Sequence, residues 1–285
     1  MSHAPQEGIV FHQSVLILIA LECGAVCAQA QWLNYRTPDA PRAHDGKVNL
    51  TGPVPHSDGK PDLSGLWEAD SAPTKELLKY VPGGVNGLGE DDPSQYFFNV
   101  FTDLNPQELM RPETAAAYQK AAAGPPPAQS LCAPPSTPMA DAYPVPFKIV
   151  QTRKLVLLLY ESDTFFRQIF MDGRRLPQDP LPDWLGYSTG RWENDELVVE
   201  TIGLTGRSVL DIVGHPHSDD MRVTERFHRR DFGHLDVQIT IDDPKMYIKP
   251  FTYTVKEHLM PDTELLESFC SEDEKDTKHL AAAAR

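Results

Sequence analysis

The stretch that decides the fold is Leu235-Asp236-Val237-Gln238-Ile239-Thr240-Ile241-Asp242. Apolar and polar residues alternate along it, so the two kinds of side chain point to opposite faces of a β-strand. A second strand is predicted over 221–230, and the residues between the two, Asp231-Phe232-Gly233-His234, have the composition of a turn. The sequence therefore predicts an antiparallel hairpin with one buried and one solvated face.

The pattern of short strands and turns continues on both sides of this hairpin. Further strands are predicted over 147–152, 155–161, 165–171, 187–193, 196–201, 247–259 and 264–269, and a short one at Gly65-Leu66-Trp67. Pro250 has no N–H for a strand ladder, so it is expected at an edge or a bulge. About nine strands joined by hairpins predict a mainly β fold, either an antiparallel meander barrel or a curled sheet.

A long Pro- and Gly-rich insertion, residues 70–146, interrupts the strand pattern. One short helix is predicted over 106–123, because Pro112-Glu113 precedes an alanine-rich run. An insertion of this length inside a compact domain usually covers a site or an open barrel end. It is therefore interpreted as a lid or plug, with wrapping of the outer surface as the alternative.

The N-terminal residues have the features of an export signal. An apolar run over 15–21 is followed by Ala28-Gln29-Ala30, the small-x-small form read by signal peptidase, which predicts a signal peptide over 1–30. The run is shorter than the ~20 residues that span a bilayer, so no membrane span is expected after cleavage. The rest is predicted as an extended arm (31–60), a single domain (61–280) and a tail (281–285), located in the periplasm or secreted.

Two cysteines, Cys132 and Cys270, remain in the predicted mature chain. An even count in an oxidising compartment predicts a disulfide between them, and two free buried thiols are the alternative. The formal net charge of −15 disfavours nucleic acid as a partner, because a polyphosphate needs a cationic face. The expected partner is a small molecule, and the sequence does not decide the oligomeric state.

The strongest cluster of residues for catalysis lies around His215-Pro216-His217. A histidine titrates near neutral pH, so with a carboxylate it could take and return a proton in each turnover. The candidate catalytic residues are His215, His217, Glu225, Asp231 and His234. A structural or solvated role for the histidines is the alternative, and three such ligands would also suit zinc or another divalent metal.

The candidate residues for substrate binding combine aromatic planes with charges. Arg167, Arg226 or Tyr187 could donate to developing negative charge. Asp172 and Trp184 would suit a sugar or an aromatic ring, with a hairpin turn and a rim tryptophan as the alternative. Trp67 belongs to a Gly-x-Trp strand, and a core tryptophan is the alternative there; the full set is Trp67, Asp172, Trp184, Tyr187, Arg167 and Arg226.

Several motifs of the sequence, taken together, are similar to those of a known protein family. They resemble a widespread family of exported bacterial β-rich proteins, common in soil bacteria, which has no assigned activity and therefore transfers no catalytic residue. The resemblance covers roughly 61–280 and implies a shared β-rich fold and a periplasmic setting. Gly65-Leu66-Trp67 is also similar to the Gly-x-Trp that opens lipocalin-type barrels. The motifs of the exported family are Gly186-Tyr187-Ser188-Thr189-Gly190-Arg191-Trp192, Gly214-His215-Pro216-His217-Ser218, Val223-Thr224-Glu225-Arg226-Phe227 and Asp242-Asp243-Pro244.

Three functions are compatible with these patterns. The first is a periplasmic enzyme of isomerase, hydratase or lyase type that acts on a small organic molecule by acid-base catalysis, with no cofactor. The second is a non-catalytic binding barrel, which predicts an apolar cavity lined by Trp67, Phe166 and Phe170. The third is a metal-dependent hydrolase. No phosphate-binding glycine loop occurs in the sequence, which disfavours nucleotide binding.

Overall fold

The computed structural model describes residues 35–79, 94–122 and 134–269. The predicted signal peptide, Cys132, Cys270 and the predicted tail lie outside these residues. The chain divides into two compact units. In the smaller unit, which contains 35–38 and 262–264, the backbone N–H of Thr37 donates to the Asp262 carboxylate at 2.9 Å and the Asp262 N–H donates to the Thr37 hydroxyl at 2.7 Å.

The larger unit contains a closed β-barrel, which confirms the predicted fold class. A two-residue pair, β1 (His56–Ser57) and β2 (Lys60–Pro61), precedes it. The order around the barrel is β10-β11-β3-β4-β5-β6-β7-β8-β9, and β9 pairs with β10 to close it. The barrel strands are β3 (Gly65–Ala69), β4 (Phe147–Gln151), β5 (Leu155–Tyr160), β6 (Phe166–Phe170), β7 (Tyr187–Glu193), β8 (Glu196–Ile202), β9 (Arg222–Arg229), β10 (His234–Asp242) and β11 (Phe251–Leu259).

The deciding hairpin forms as predicted, with Ile239 opposite Glu225. Leu235, Val237, Ile239 and Ile241 are all buried on the inner face of β10. The one departure from an antiparallel meander is the pair β6 and β7, which is parallel and joined only through Ile169–Phe170 and Ser188–Thr189. Asp172-Gly173 therefore does not form a hairpin turn between them. This parallel pair is called the seam below.

Two predicted strands differ from the structure. Residues 264–269 form no strand, only an isolated bridge between Ser268 and Ser162. Pro250 precedes β11 instead of lying in it, so β11 begins at Phe251 and pairs on both sides, with β10 and with β3. The prediction of an edge or a bulge there was wrong because the proline limits the strand without interrupting its ladder.

The insertion contains several short helices, and none of the described helices is long and apolar enough to cross a membrane. They are α1 (Thr74–Leu77), α2 (Gln95–Phe98), α3 (Pro106–Leu109), α4 (Pro112–Ala122) and the 3₁₀ turn Met139–Ala142. The single helix predicted over 106–123 is broken between α3 and α4. Pro112 disfavours helical backbone at Arg111, and Met110 instead bridges to Tyr247.

Trp67 fills the floor of the barrel. Its side chain is fully buried, and its indole N–H donates to the Leu63 carbonyl at 2.9 Å. The Arg229 guanidinium carbon lies 4.9 Å from the indole ring, and that guanidinium also donates to the carbonyls of Asp62 and Phe232. Gly65 has φ +154°, and a Cβ there would lie 2.5 Å from a methyl carbon of Leu259. The glycine of the Gly-x-Trp motif therefore allows close chain packing beside the tryptophan.

Candidate functional site

The centre of the barrel contains a charged network built on Arg167. Its side chain is 1 % exposed and reaches from β6 across the interior to Glu225 on β9, which is fully buried. Nη1 donates to Glu225 Oε1 at 2.8 Å, and Nη2 donates to Glu225 Oε2. Nε donates to Ser188 at 3.1 Å and Nη2 donates to Thr201 at 2.7 Å, so the guanidinium is held on several sides. The strand alternation places all four residues on the inner face.

A second carboxyl group, that of Asp141, joins this network from the insertion. It lies in the fully buried 3₁₀ turn, where it accepts a hydrogen bond from the Tyr160 hydroxyl at 2.7 Å and lies 3.5 Å from Arg167 Nη1. Burial, followed by the negative charge of Glu225, raises the pKa of Asp141 well above its usual range. The carboxyl therefore keeps its proton at pH values where an exposed aspartate is ionised.

The pKa of Glu225 is shifted in the opposite direction to that of Asp141. Burial alone would disfavour its charge, but the charge and hydrogen bonds of Arg167 lower its pKa below the usual value. A hydrogen bond between the Asp141 and Glu225 side chains adds to both effects, since it raises the pKa of the first and lowers that of the second. The two carboxyls thus form a pair with one proton, held mainly by Asp141.

Glu257 is the most anomalous side chain of the interior. It is fully buried on the inner face of β11, and neither of its carboxyl oxygens has a hydrogen-bond partner. Burial, followed by the charges of Asp141, Asp70 and Glu68, raises its pKa well above the usual range. A buried polar group without a partner destabilises a fold by about 1–3 kcal/mol, so its presence needs a reason other than stability.

We therefore expect Glu257→Leu to raise the free energy of unfolding at pH 7 by about 1–3 kcal/mol. The gain should shrink as the pH falls through about 4, where glutamate in the unfolded chain becomes protonated. The sign follows from the raised pKa: between the unfolded and folded pKa values the folded state binds more protons, so wild-type stability falls as the pH rises. Urea unfolding at pH 4 and pH 7 measures both effects.

The exposed Glu200 on β8 is the matched control, because Glu200→Leu removes a surface carboxylate that pairs with Arg191. This change should alter the free energy of unfolding by about 1 kcal/mol or less. A loss of stability in Glu257→Leu at pH 7 would mean that the Glu257 carboxyl has a stabilising partner.

Two of the three candidate histidines, His215 and His217, lie in the loop between β8 and β9, where both are buried. His215 Nδ1 bonds Asp211 at 2.5 Å, and its ring stacks on Tyr118 at 4.6 Å. His217 bonds the hydroxyl of Ser208 through Nε2 at 2.5 Å and the carbonyl of Ser218 through Nδ1 at 3.1 Å. Burial lowers the pKa of His217, so its ring is neutral. Both nitrogens of His217 therefore have partners within the protein.

The remaining candidates, His234 and Asp231, lie beyond the end of β9 that is farther from His217. His234 Nδ1 bonds Asp231 at 2.7 Å, and both side chains are about one-quarter exposed. β9 separates this pair from the loop that contains His217 by eight residues, roughly 25 Å of extended strand. The structure therefore does not bring the five candidate catalytic residues together; of these, only Glu225 belongs to the central network.

A cleft of about 500 Å³ lies along the seam. It brings together three of the predicted substrate-binding residues, Arg167, Trp184 and Tyr187. Phe166, 60 % exposed, also borders it. Arg167 is among the residues that line this cleft, and its guanidinium is bonded to the buried carboxylate of Glu225. Two other recesses, of about 480 and 520 Å³, contain none of the candidate residues, and neither His215 nor His217 borders any of the three.

Aromatic and charged groups meet at the rim of the seam cleft. Phe170 and Tyr187 pack with their ring centres 5.2 Å apart, and the Arg174 guanidinium carbon lies 3.8 Å above Phe170. Asp172 holds Arg174 through both carboxylate oxygens, and these hydrogen bonds lower the pKa of Asp172 to about 2. Asp172 thus holds Arg174 over Phe170, one of the residues that line the cleft.

The remaining predicted binding residues lie elsewhere. Arg226 is on the outer face of β9, where it donates to Glu193 and Glu196. Trp67 is enclosed in the barrel floor, whereas Phe166 and Phe170 border the outer cleft. The cavity predicted from Trp67, Phe166 and Phe170 was therefore wrong, because strand alternation points the two phenylalanines away from the interior.

Sequence reasoning did not identify Asp141, Tyr160 or Glu257 as site residues. Glu257 could have been recognised from the sequence, because it occupies an inward position of a strand whose other inward residues are apolar: Phe251, Tyr253, Val255 and Leu259. Glu225 and Arg167 interrupt the apolar phase of their own strands in the same way. Asp141 had no such signal, since it lies in a proline-rich stretch without a period.

Within residues 35–79, 94–122 and 134–269, no group of three or more histidine, cysteine, aspartate or glutamate side chains is arranged to hold a metal ion. The candidate site is thus defined by the carboxyl pair, Arg167, Glu257 and the seam cleft. No protein-family model matches the chain, and neither do the curated proteins or the solved structures with which it was compared.

Proposed function

We propose that this protein is an enzyme that acts on a small organic molecule by acid-base catalysis of isomerase, hydratase or lyase type. The observation that supports this most is the pair Asp141 and Glu225, two hydrogen-bonded carboxyls whose surroundings shift their pKa values in opposite directions. Such a division supplies an acid and a base at the same pH. The proposed acid and base are carboxyls in the barrel interior and not the histidines. Of the five candidate catalytic residues predicted from the sequence, only Glu225 has a role here.

In this proposal Asp141 is the acid and Glu225 is the base. Asp141 donates its proton to the substrate atom that gains one, and Glu225 accepts the proton from the atom that loses one. The pair then again holds one proton, now on Glu225. Transfer of that proton across the hydrogen bond between the two carboxyls restores the starting state, so an isomerisation needs no external proton donor.

Arg167 is a positioning residue in this scheme. Its guanidinium holds both oxygens of Glu225 and is itself held by Ser188 and Thr201. It keeps Glu225 ionised, and it fixes the direction in which that carboxylate faces Asp141. Because Arg167 also borders the seam cleft, we place substrate entry there, against the aromatic rim.

We also propose that the protein is exported. The small-x-small sequence before Gln31 and the pair Cys132 and Cys270 favour an exported protein with one disulfide, in the periplasm or secreted. An interior closed to water suits reactive intermediates in such a setting, because it prevents side reactions with solvent.

The test is a turnover screen of the purified protein against small organic compounds, with products identified by chromatography and mass. Hydration, elimination and isomerisation are distinguished by gain of water, loss of water and unchanged mass. For any compound that is turned over, we expect Asp141→Asn to lower the rate about 100-fold or more, because an amide cannot donate the proton of a carboxylic acid.

The control is Asp195→Asn, the same chemical change in the exposed turn between β7 and β8, which should leave the rate unchanged. Folding of both variants is checked by urea unfolding. Full activity in a folded Asp141→Asn variant would contradict the proposal, because the carboxyl pair would then be structural.

The seam cleft favours a second function, binding of a small molecule without turnover. Its exposed Phe166 beside Trp184 and Tyr187 offers ring faces to a sugar or an aromatic compound. Ligand binding to the folded state raises its apparent stability. In the same screen, compounds that raise the melting temperature and are recovered unchanged would support this second function.

A further inference from the structure

We propose that the barrel interior binds a protonated amine, and that Glu257 is the residue that holds it. This inference deepens the proposed function, on which it rests, by naming the chemical class of the substrate. The starting observation is that both oxygens of a fully buried carboxyl lack any donor. A primary ammonium group supplies up to three N–H donors in a small volume, which fits a carboxyl with two free oxygens.

The described part of the protein has no donor for this position. Across the ladder, the neighbours of Glu257 are Leu235 on β10 and Ala69 on β3, both buried and apolar. The buried cations of the described residues are Arg167, which binds Glu225, and Arg229, which binds backbone carbonyls beside Trp67. Both are therefore already occupied, and in this proposal a bound molecule supplies the donor.

The charges around Glu257 select a cation over a neutral or anionic ligand. The charged groups that act most strongly on it are all acidic: Asp141, Asp70 and Glu68. A carboxylate ligand would be repelled by this set, and an alcohol would gain nothing from it. A protonated amine is attracted by the ionised members of the set, Asp70 and Glu68, whereas Asp141 adds no charge while it keeps its proton.

Binding also has a defined proton balance. In the free protein the Glu257 carboxyl is neutral, because an unpaired charge in the interior is unfavourable. When a protonated amine binds, the carboxyl ionises and forms the ion pair, and one proton is released to solvent. Tight binding by this route should therefore be accompanied by net proton release.

The experiment compares ligands that share a carbon skeleton and differ in one group. Benzylamine is compared with benzyl alcohol and benzoate, and butylamine with 1-butanol and butanoate, by calorimetry on the full chain at pH 7. We expect binding of at least one amine, with proton release seen as a dependence of the heat on the buffer's ionisation enthalpy. The matching alcohol and carboxylate should not bind.

The decisive variant is Glu257→Gln, which keeps the shape and removes the ionisable group. We expect it to bind the amine at least about 10-fold more weakly and without proton release, because a buried charge pair loses one partner. Glu200→Gln, the same change on the barrel surface, should bind within about twofold of wild type. Urea unfolding confirms that both variants fold.

Three outcomes would overturn the inference: no binding by either amine, equal binding of amine and alcohol, or unchanged amine binding in Glu257→Gln. Its failure is distinguishable from that of the proposed function. If compounds without a basic nitrogen are turned over and Asp141→Asn abolishes that turnover, the acid-base proposal stands and the amine inference falls. If amines bind through Glu257 but no compound is turned over, the interior is an amine-binding site and the acid-base proposal falls.

Discussion

Replacing Arg167 by leucine should lower the free energy of unfolding by about 3–5 kcal/mol, one of the two largest effects expected in this protein. The substitution leaves the Glu225 carboxyl fully buried without its counter-ion and also removes the hydrogen bonds to Ser188 and Thr201. Removing one partner of a buried ion pair leaves the other charge uncompensated, and this is much more costly than the pair itself. Urea unfolding at pH 7 measures the effect.

The matched control is Arg191→Leu. Arg191 also contacts two carboxylates, Glu193 and Glu200, but on the surface of the barrel, where its side chain is about half exposed. Its loss should change stability by about 1 kcal/mol or less. Equal losses in the two variants would show that the Arg167 network is no more strongly coupled than a surface pair.

A double variant, Arg167→Leu with Glu225→Leu, separates stability from function. Replacing a whole buried ion pair by apolar residues is often neutral or stabilising. We therefore expect the double variant to recover much of the stability that Arg167→Leu loses. Recovery would show that the charges are not needed for the fold, which leaves catalysis or binding as the reason for their presence.

The fold could be predicted because period-two alternation survives in the strands that face the core. Leu235, Val237, Ile239 and Ile241 gave the deciding hairpin, and that hairpin is present. The parallel seam could not be predicted, because alternation within a strand does not show which way its neighbour runs. The linker between β6 and β7 has the turn residues Asp172-Gly173, yet the chain crosses over instead of reversing.

The candidate site was predicted only in part, because its chemistry combines residues from distant segments. Glu225, Arg167, Trp184 and Tyr187 were identified by residue type, but the interior contact between the first two depends on barrel closure. Asp141 reaches Tyr160 from a segment without periodicity, so only the folded chain shows their contact. His215 and His217 were predicted as catalytic from the motif His215-Pro216-His217, whereas in the folded protein they bond Asp211 and Ser208.

Truncating Trp67 to alanine should also lower the free energy of unfolding by about 3–5 kcal/mol, since it opens a large cavity in the barrel floor. The loss has an electrostatic part, because Arg229 would no longer face the indole ring that covers it. Trp184→Ala is the control: that tryptophan borders the seam cleft and is only half-buried, so its removal should cost about 1 kcal/mol or less. Urea unfolding of both variants decides between two roles for Trp67. A small loss for Trp67→Ala would mean that the floor is not closed by this side chain, and that the interior carboxyls are open to water from that end.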